Sequence, residues 1–343
     1  IHGREGRRGT DRQHAGGRGA RHMNAHAGTL PVVVTAIEDI TPLIKVFTLQ
    51  DPSGKPLPGF SGGSHVVVLI PDEGKIYRNP YSLMSTPFDT TSYRIGVRRQ
   101  DNGRGGSLAM HNDVRVGMTL HITHPANNFP LNRRSLKHIF IAGGVGITPI
   151  ISQIHDLQVG SVPYELHYAV RNTDHNGMKQ FIAGDEIGST ELYYDSADAQ
   201  IDFDAILGNQ PLGSDVYICG PAPMIEAVVA SARALGWADS HIHWEEFVEA
   251  STGDAFEAFL KKANKRIMVP PELSLLEAIE GAGLDMPYLC RGGACGHCET
   301  DVLELDGEIE HRDIWLSDDI KASNRKMMPC VSRAKCKKLV LDL

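Results

Sequence analysis

Tyr288-Leu-Cys290-Arg-Gly-Gly-Ala-Cys295-Gly-His-Cys298-Glu-Thr300 is the stretch on which the reading of this chain turns. Its cysteines stand as C-x4-C-x2-C, and Cys330 follows after an interval of 31 residues. Four thiolates at this spacing hold a [2Fe–2S] cluster. Each iron takes two thiolates, and the sulfides need hydrogen-bond donors. Gly292, Gly293, Ala294 and Gly296, with Arg291, lie between the ligands. Small residues let such a loop wrap closely and aim backbone N–H groups at sulfur. Cys290, Cys295, Cys298 and Cys330 are therefore the expected metal ligands.

Other occupants of the four cysteines fit less well. Structural zinc sites usually pair two short knuckles, whereas Cys330 stands alone. Cys295 and Cys298 are too close for a relaxed disulfide, and no secretion signal is seen. A Rieske centre needs two histidines and two cysteines. Cys295-Gly-His297 offers half of that pattern and no second half follows, so His297 reads as a solvent-facing loop residue. Cys336, beyond the fourth ligand, reads as a small apolar bystander.

A [2Fe–2S] cluster passes single electrons, so the rest of the chain is read as its supply. The 343 residues suffice for two or three domains. A hydrophobic content of 41% suits a globular protein, and a net charge of −8 argues against a nucleic-acid binder. No apolar run approaches membrane-spanning length, and a cytoplasmic monomer is expected. Residues 1–22 carry six arginines and six glycines without hydrophobic periodicity. Residues 1–27 are expected to be a disordered leader or extension.

Residues 28–133 contain short Val/Ile/Thr-rich runs at 31–37, 43–49, 65–70, 93–99 and 118–123, separated by Pro/Gly turns. This spacing predicts a small antiparallel β-barrel. Residues 134–247 alternate strands and helices, predicting an α/β domain with a parallel sheet. Residues 248–255 read as a linker and 256–343 as the cluster domain.

Gly143-Gly144-Val145-Gly146 sits between a predicted strand and a predicted helix. Such a turn lets backbone N–H groups and the positive helix end approach a pyrophosphate, although tight packing is the plain alternative. Cys219-Gly220-Pro221-Ala-Pro-Met224 ends another parallel strand, where α/β sheets place ligands. Together the two turns define a crevice. Arg171, after the intervening strand, is placed to meet a ribose or a 2′-phosphate. In the β block, Arg78 is a candidate for a phosphate and Tyr81 for an aromatic ring. Gly105-Gly106-Ser107 precedes a helix-like stretch, where amides can hold an anion.

Over roughly 30–343 the chain resembles the phthalate dioxygenase reductase type of oxygenase reductase, exemplified also by vanillate demethylase reductases. The motifs that carry this are Arg78…Tyr81-Ser82-Leu83, Asn102-Gly-Arg-Gly-Gly-Ser107, Asn128-Phe-Pro-Leu131, Ala142–Pro149, Cys219-Gly-Pro221 and the closing Cys330-Val-Ser-Arg-Ala-Lys335…Leu343. The resemblance implies an FMN-binding barrel, an NADH domain and a C-terminal plant-type β-grasp ferredoxin. It also implies that Arg78, Gly105, Gly106 and Ser107 bind the FMN phosphate. Tyr81 then lies against the flavin, Ser82 and Leu83 meet the ring edge through backbone groups, and Phe247 stacks on the flavin. Gly143, Gly144, Val145, Gly146, Thr148, Pro149, Arg171, Gly220, Pro221 and Met224 are assigned to NADH, with Cys219 as the catalytic position beside the nicotinamide. One departure is visible: two residues, Asn79 and Pro80, separate Arg78 from Tyr81 where the family usually has one.

The implied activity is hydride transfer from NADH to the flavin, followed by single-electron steps through the cluster to a terminal oxygenase, of Rieske type by expectation. A stand-alone flavin reductase would not need the ferredoxin, and a bare electron carrier would not need the nucleotide turns. The acidic run Asp301, Glu304, Asp306, Glu308 and Glu310 is either a solvated strand or a docking face for a basic partner.

Overall fold

The computed structural model describes residues 28–72, 75–182, 187–194, 201–247 and 253–343. The leader expected over 1–27 and most of the expected linker, 248–252, lie outside the described residues.

The first unit comprises β1 (Leu30–Thr41), β2 (Ile44–Gln50), β3 (Ser64–Asp72), β4 (Lys75–Ser82), β5 (Tyr93–Arg98), α1 (Gly106–Asn112), β6 (Thr119–Ile122) and β7 (Ala126–Asn127). Its strands run β4-β3-β6-β1-β2-β5, with β7 on β3, all antiparallel. Alternate residues of each strand face one side, so Val32 and Val34, Val66, Val68 and Ile70, and Phe47 and Leu49 meet in one core. A Leu83–Ile95 bridge joins the two ends of the sheet, which leaves the strand order of a closed barrel. The sequence reading missed β4. Pro80 cannot donate to a ladder, so it masks a strand in a sequence pattern; here it lies exposed at the end of the strand order.

The second unit comprises β8 (Lys137–Gly143), α2 (Ile147–Leu157), β9 (Tyr164–Val170), β10 (Gly188–Tyr194), α3 (Phe203–Gly208), β11 (Ser214–Cys219), α4 (Ala222–Ala234) and β12 (Ile242–Glu245). The sheet is wholly parallel, in the order β10-β9-β8-β11-β12. It is covered on both faces. Ile147, Ile150, Ile151 and Ile154 of α2 enter one core, and Leu207, Ile225 and Val228 of α3 and α4 enter another. That accounts for the unbroken apolar runs of β8 and β11. The edge strands β10 and β12 are shorter or more polar and escaped the sequence reading. The α2 side chains also fasten the barrel: Asp156 accepts from the Gly62 amide at 2.9 Å, Ser152 from the Gly63 amide at 3.0 Å, and Gln153 donates to the Phe129 carbonyl at 2.7 Å.

The third unit comprises β13 (Phe256–Leu260), β14 (Lys265–Val269), α5 (Leu275–Gly281), β15 (Thr300–Glu310), α6 (Asp318–Ser323), β16 (Lys326–Met327) and β17 (Arg333–Leu341). Its mixed sheet runs β14-β13-β17-β15-β16. Ser274 and Glu277 form a reciprocal capping box that starts α5, and Leu275, Leu276 and Ile279 then reach the core. Arg333 is fully buried; it donates to the carbonyls of Leu273, Asp254 and Pro270, tying the last strand to the start of the unit.

Candidate functional site

The strand order of the parallel sheet reverses direction at β8. Its neighbour β11 pairs with it so that Cys219 lies opposite Ala142, and both strands end at the same level. Ligands of open α/β sheets lie at such a switch point. The turn after β8 is packed against the end of β11: a Cβ on Gly146 would stand 2.2 Å from the Cys219 carbonyl oxygen. Only glycine allows that approach. Gly143, Gly144, Val145, Gly146, Thr148, Arg171, Gly220, Pro221 and Met224 all line one cleft. Pro149 is buried within α2 instead. Cys219 is fully buried and does not line the cleft; burial, then the nearby Glu245, pushes its thiol well up.

The barrel supplies the facing wall. Arg78, Tyr81, Ser82 and Ser107 line the same cleft. Gly105 and Gly106 sit one layer back, against Tyr77 and Asn79. Leu83 departs from the expectation of a backbone contact at the cleft: its side chain is in the barrel core and its amide donates to the Ser64 carbonyl at 2.8 Å. The Asn79-Pro80 spacing has a structural consequence. Asn79 and Tyr81 share a face of β4, and Asn79 Nδ2 donates to the Tyr81 hydroxyl at 3.3 Å. Arg78, one residue out of phase, meets Glu280 of α5 at 4.0 Å. Phe247 lines the cleft and is 44% exposed.

The third wall is the cysteine loop. Cys290 neighbours Cys295, and Cys298 neighbours Cys330, two thiol pairs for two irons. The Gly292 and Ala294 amides each reach Cys290 Sγ at 3.4 Å. The Cys295 thiol, then these amides, lower the Cys290 thiol below the ordinary range, an environment made for a thiolate. Gly296 has φ +76°, and a Cβ there would stand 2.4 Å from the Trp315 ring. His297 is exposed, as expected of a bystander. The donor set and amides fit a [2Fe–2S] cluster. Cys290 and Cys330 also line the cleft.

All three units thus face one cavity of about 570 Å³. Sequence reasoning missed two of its residues. His65 is 5% exposed, and neither ring nitrogen has a hydrogen-bond partner; burial lowers it to about 4. Glu245 Oε2 is buried and unpartnered, and burial, then the Cys290 sulfur, raises its carboxyl to about 8. Such orphaned atoms fit a cleft meant to receive a polar heteroaromatic ring. For His65 the signal was a polar ring leading into the apolar run Val66–Ile70; Glu245, in the half-polar strand Ile242–Glu245, carried none.

Parallel-sheet crevice, barrel wall and thiolate loop around one cavity define a pyridine-nucleotide-dependent iron–sulfur flavoprotein. Comparison with known proteins narrows the class. Residues 259–335 match the 2Fe-2S iron-sulfur cluster binding domain family, and residues 125–242 the dimethylamine monooxygenase subunit DmmA-like N-terminal domain. The chain is 44% identical to the carnitine monooxygenase reductase subunit of Acinetobacter baumannii over 323 residues, 94% of this chain and all of that one. It is 33% identical to the vanillate O-demethylase oxidoreductase of Acinetobacter baylyi, over 92% of this chain and 99% of the relative. The solved structure of phthalate dioxygenase reductase superposes with a TM-score of 0.80 at 31% identity, covering 92% of this chain and 98% of that one. The chain belongs to the oxygenase reductase family. It is an oxidoreductase that takes electrons from NADH through a flavin, FMN in this family, and a [2Fe–2S] cluster to an oxygenase partner.

Proposed function

We propose that the single cleft shared by barrel, parallel sheet and cysteine loop is where NADH meets FMN and where electrons pass to the cluster. That sharing is the observation that carries the reading. A flavin held here would supply the conversion of one hydride, carrying two electrons, into two single-electron transfers; the chain's own residues bind, orient and insulate. The turn 143–146 and Gly220-Pro221 receive the dinucleotide, with Thr148, Met224 and Arg171 along its path and Pro149 buried in the first turn of the helix behind it. Cys219, fully buried behind the Gly146 turn, backs the nicotinamide position without lining the cleft and exchanges no proton.

Tyr81 and Phe247 take the flavin ring, with Ser82 and His65 at its edge. Ser107 and Arg78 take the phosphate, backed by Gly105 and Gly106. A guanidinium carries five donors, so the Glu280 contact does not exhaust Arg78. The thiolates of Cys290, Cys295, Cys298 and Cys330 hold the cluster. The functional divisions are 28–133, 134–247, the linker 248–255 and 256–343.

The partner is a Rieske-type oxygenase acting on a methylated amine or quaternary ammonium compound, and the reductase is a cytoplasmic monomer. The carnitine monooxygenase relative and the dimethylamine monooxygenase domain match favour this over an aromatic acid. Six cysteines without a disulfide suit a reducing compartment. Among the described residues no helix is long and apolar enough to cross a membrane. Anaerobic NADH-reduced protein, mixed with purified carnitine, dimethylamine and vanillate oxygenases in turn, tests the partner. Reduction of an amine oxygenase at least about tenfold faster than of the vanillate enzyme is expected; the reverse order would overturn the amine assignment.

A further inference from the structure

Helix α5 presents two carboxylates to the barrel. Arg104, in the loop before α1, donates from one amino group to both oxygens of Glu277, at 2.5 and 2.6 Å. The same carboxylate closes the α5 capping box, accepting from the Ser274 amide at 2.8 Å and hydroxyl at 2.9 Å. One turn on, Glu280 meets Arg78 of β4 at 4.0 Å and accepts from Arg291. Arg291 follows the ligand Cys290, takes a left-handed φ of +52°, and lies 3.9 Å over the Tyr288 ring. These groups are largely withdrawn from solvent: the Glu277 side chain is 9% exposed and that of Arg291 5%. Two barrel arginines thus hold two glutamates, and one of those glutamates holds the cluster loop.

We propose that Glu277 and Glu280 form an ionic clasp on Arg104 and Arg78 that seats the ferredoxin unit on the barrel and sets the rate of electron transfer into the cluster. The clasp rests on the reading of the cleft as the flavin site. Arg78 also serves the FMN phosphate, but Glu277 and Glu280 are positioning residues: they touch neither electron donor nor sulfur and fix the distance between them. A partly buried pair is screened little by salt and is costly to break one-sidedly. Ordinary interdomain contacts within a chain are weaker and more mobile. The capping box adds a link: losing Arg104 frees α5 from the barrel without unfolding its first turn, because Ser274 keeps its own bonds to Glu277.

The test uses the flavin- and cluster-loaded protein with Glu277→Gln, Glu280→Gln and the double variant, each checked for wild-type iron content. The amide introduced by Glu277→Gln retains a carbonyl oxygen for the Ser274 donors. NADH-driven ferricyanide reduction is expected to stay at the wild-type rate. Cluster reduction after NADH mixing, read by freeze-quench EPR, should slow about tenfold in the double variant. Small-angle scattering should show a broader interdomain distance distribution, independent of turnover. Exchanging the charges, Arg104→Glu with Glu277→Arg, should recover part of both losses. Wild-type cluster reduction and wild-type scattering in the double variant would overturn the clasp. Failure of the underlying reading looks different: the wild type itself would then show no flavin bleaching by NADH.

Discussion

The cysteine loop and the barrel wall face each other across one cleft, yet they are built in opposite ways. The loop's first three ligands come from nine consecutive residues, 290–298. Their geometry is set locally, by Gly296 under Trp315 and by amides two and four residues beyond Cys290. The barrel wall gathers Arg78, Tyr81 and Ser82 from β4, His65 from β3 and Ser107 from the start of α1. Its shape depends on the closure of a sheet and on α2 holding the 61–63 turn. A local site declares itself by spacing. A dispersed site is visible only through a resemblance, and is sensitive to changes far from the cleft.

The largest effect should come from striking the local site. Cys298→Ser removes one ligand from the Cys298–Cys330 pair. Cluster EPR and acid-labile sulfide should fall to background, and electron delivery to an oxygenase with them, while NADH:ferricyanide activity through the flavin persists. Full iron content in that variant would break the comparison, since the loop would then not be the sole cluster site.

A middle effect separates the dispersed half by pH. His65 in the barrel and His138 in the parallel sheet are buried, and burial holds each imidazole at about 4 against an ordinary 6.5. The folded value lies below the unfolded one, so the unfolded chain takes up protons first. Stability is full above pH 6.5 and drains away as pH falls toward 4. The slope approaches about 1.4 kcal/mol per histidine for each pH unit in that window. Urea unfolding followed by flavin release should show the midpoint falling from pH 7 to pH 5. His138→Gln, which removes one titrating ring, should flatten it in part, with His111 and His167, also lowered by burial, contributing to what remains. A midpoint independent of pH would mean that neither ring is buried neutral.

Legibility in the sequence followed the same division. The cysteine loop, the 143–146 turn and Cys219-Gly220 could be read because each is a short run whose chemistry needs its neighbours. Strands with unbroken apolar runs, β3, β8 and β11, were plain for the same reason. β4 was hidden by Pro80, and β10 and β12 by being edge strands with fewer apolar positions. His65 and Glu245 gave only a single polar letter each, and their importance arises from burial, which no local pattern encodes. Leu83 sits in the right motif, but the Ser64 carbonyl takes its amide. The Arg104–Glu277 pair joins residues 173 apart, and nothing in either stretch announces the other.

The smallest effect concerns the acidic run on β15. As sequence it invites docking to a basic partner. In the fold it is largely answered: Asp301 meets Lys326 at 3.1 Å, Glu304 pairs with Lys338, and Glu310 pairs with Lys335 at 2.5 Å and Arg312 at 2.7 Å. The pairing strand β17 thus cancels much of the field that would steer a partner, leaving Asp306 and Glu308 outside any salt bridge among the described residues. Steering by a few net charges is screened within about 10 Å at 0.1 M salt. The rate of oxygenase reduction should therefore change by less than about threefold between about 0.05 and about 0.5 M salt. Exchanging the pair as Glu304→Lys with Lys338→Glu should leave it unmoved, because the local net charge is kept. A steep fall with salt, softened by Asp306→Asn with Glu308→Gln, would show that two unpaired carboxylates suffice to guide docking. It would also return the β15 face to the role its sequence suggests.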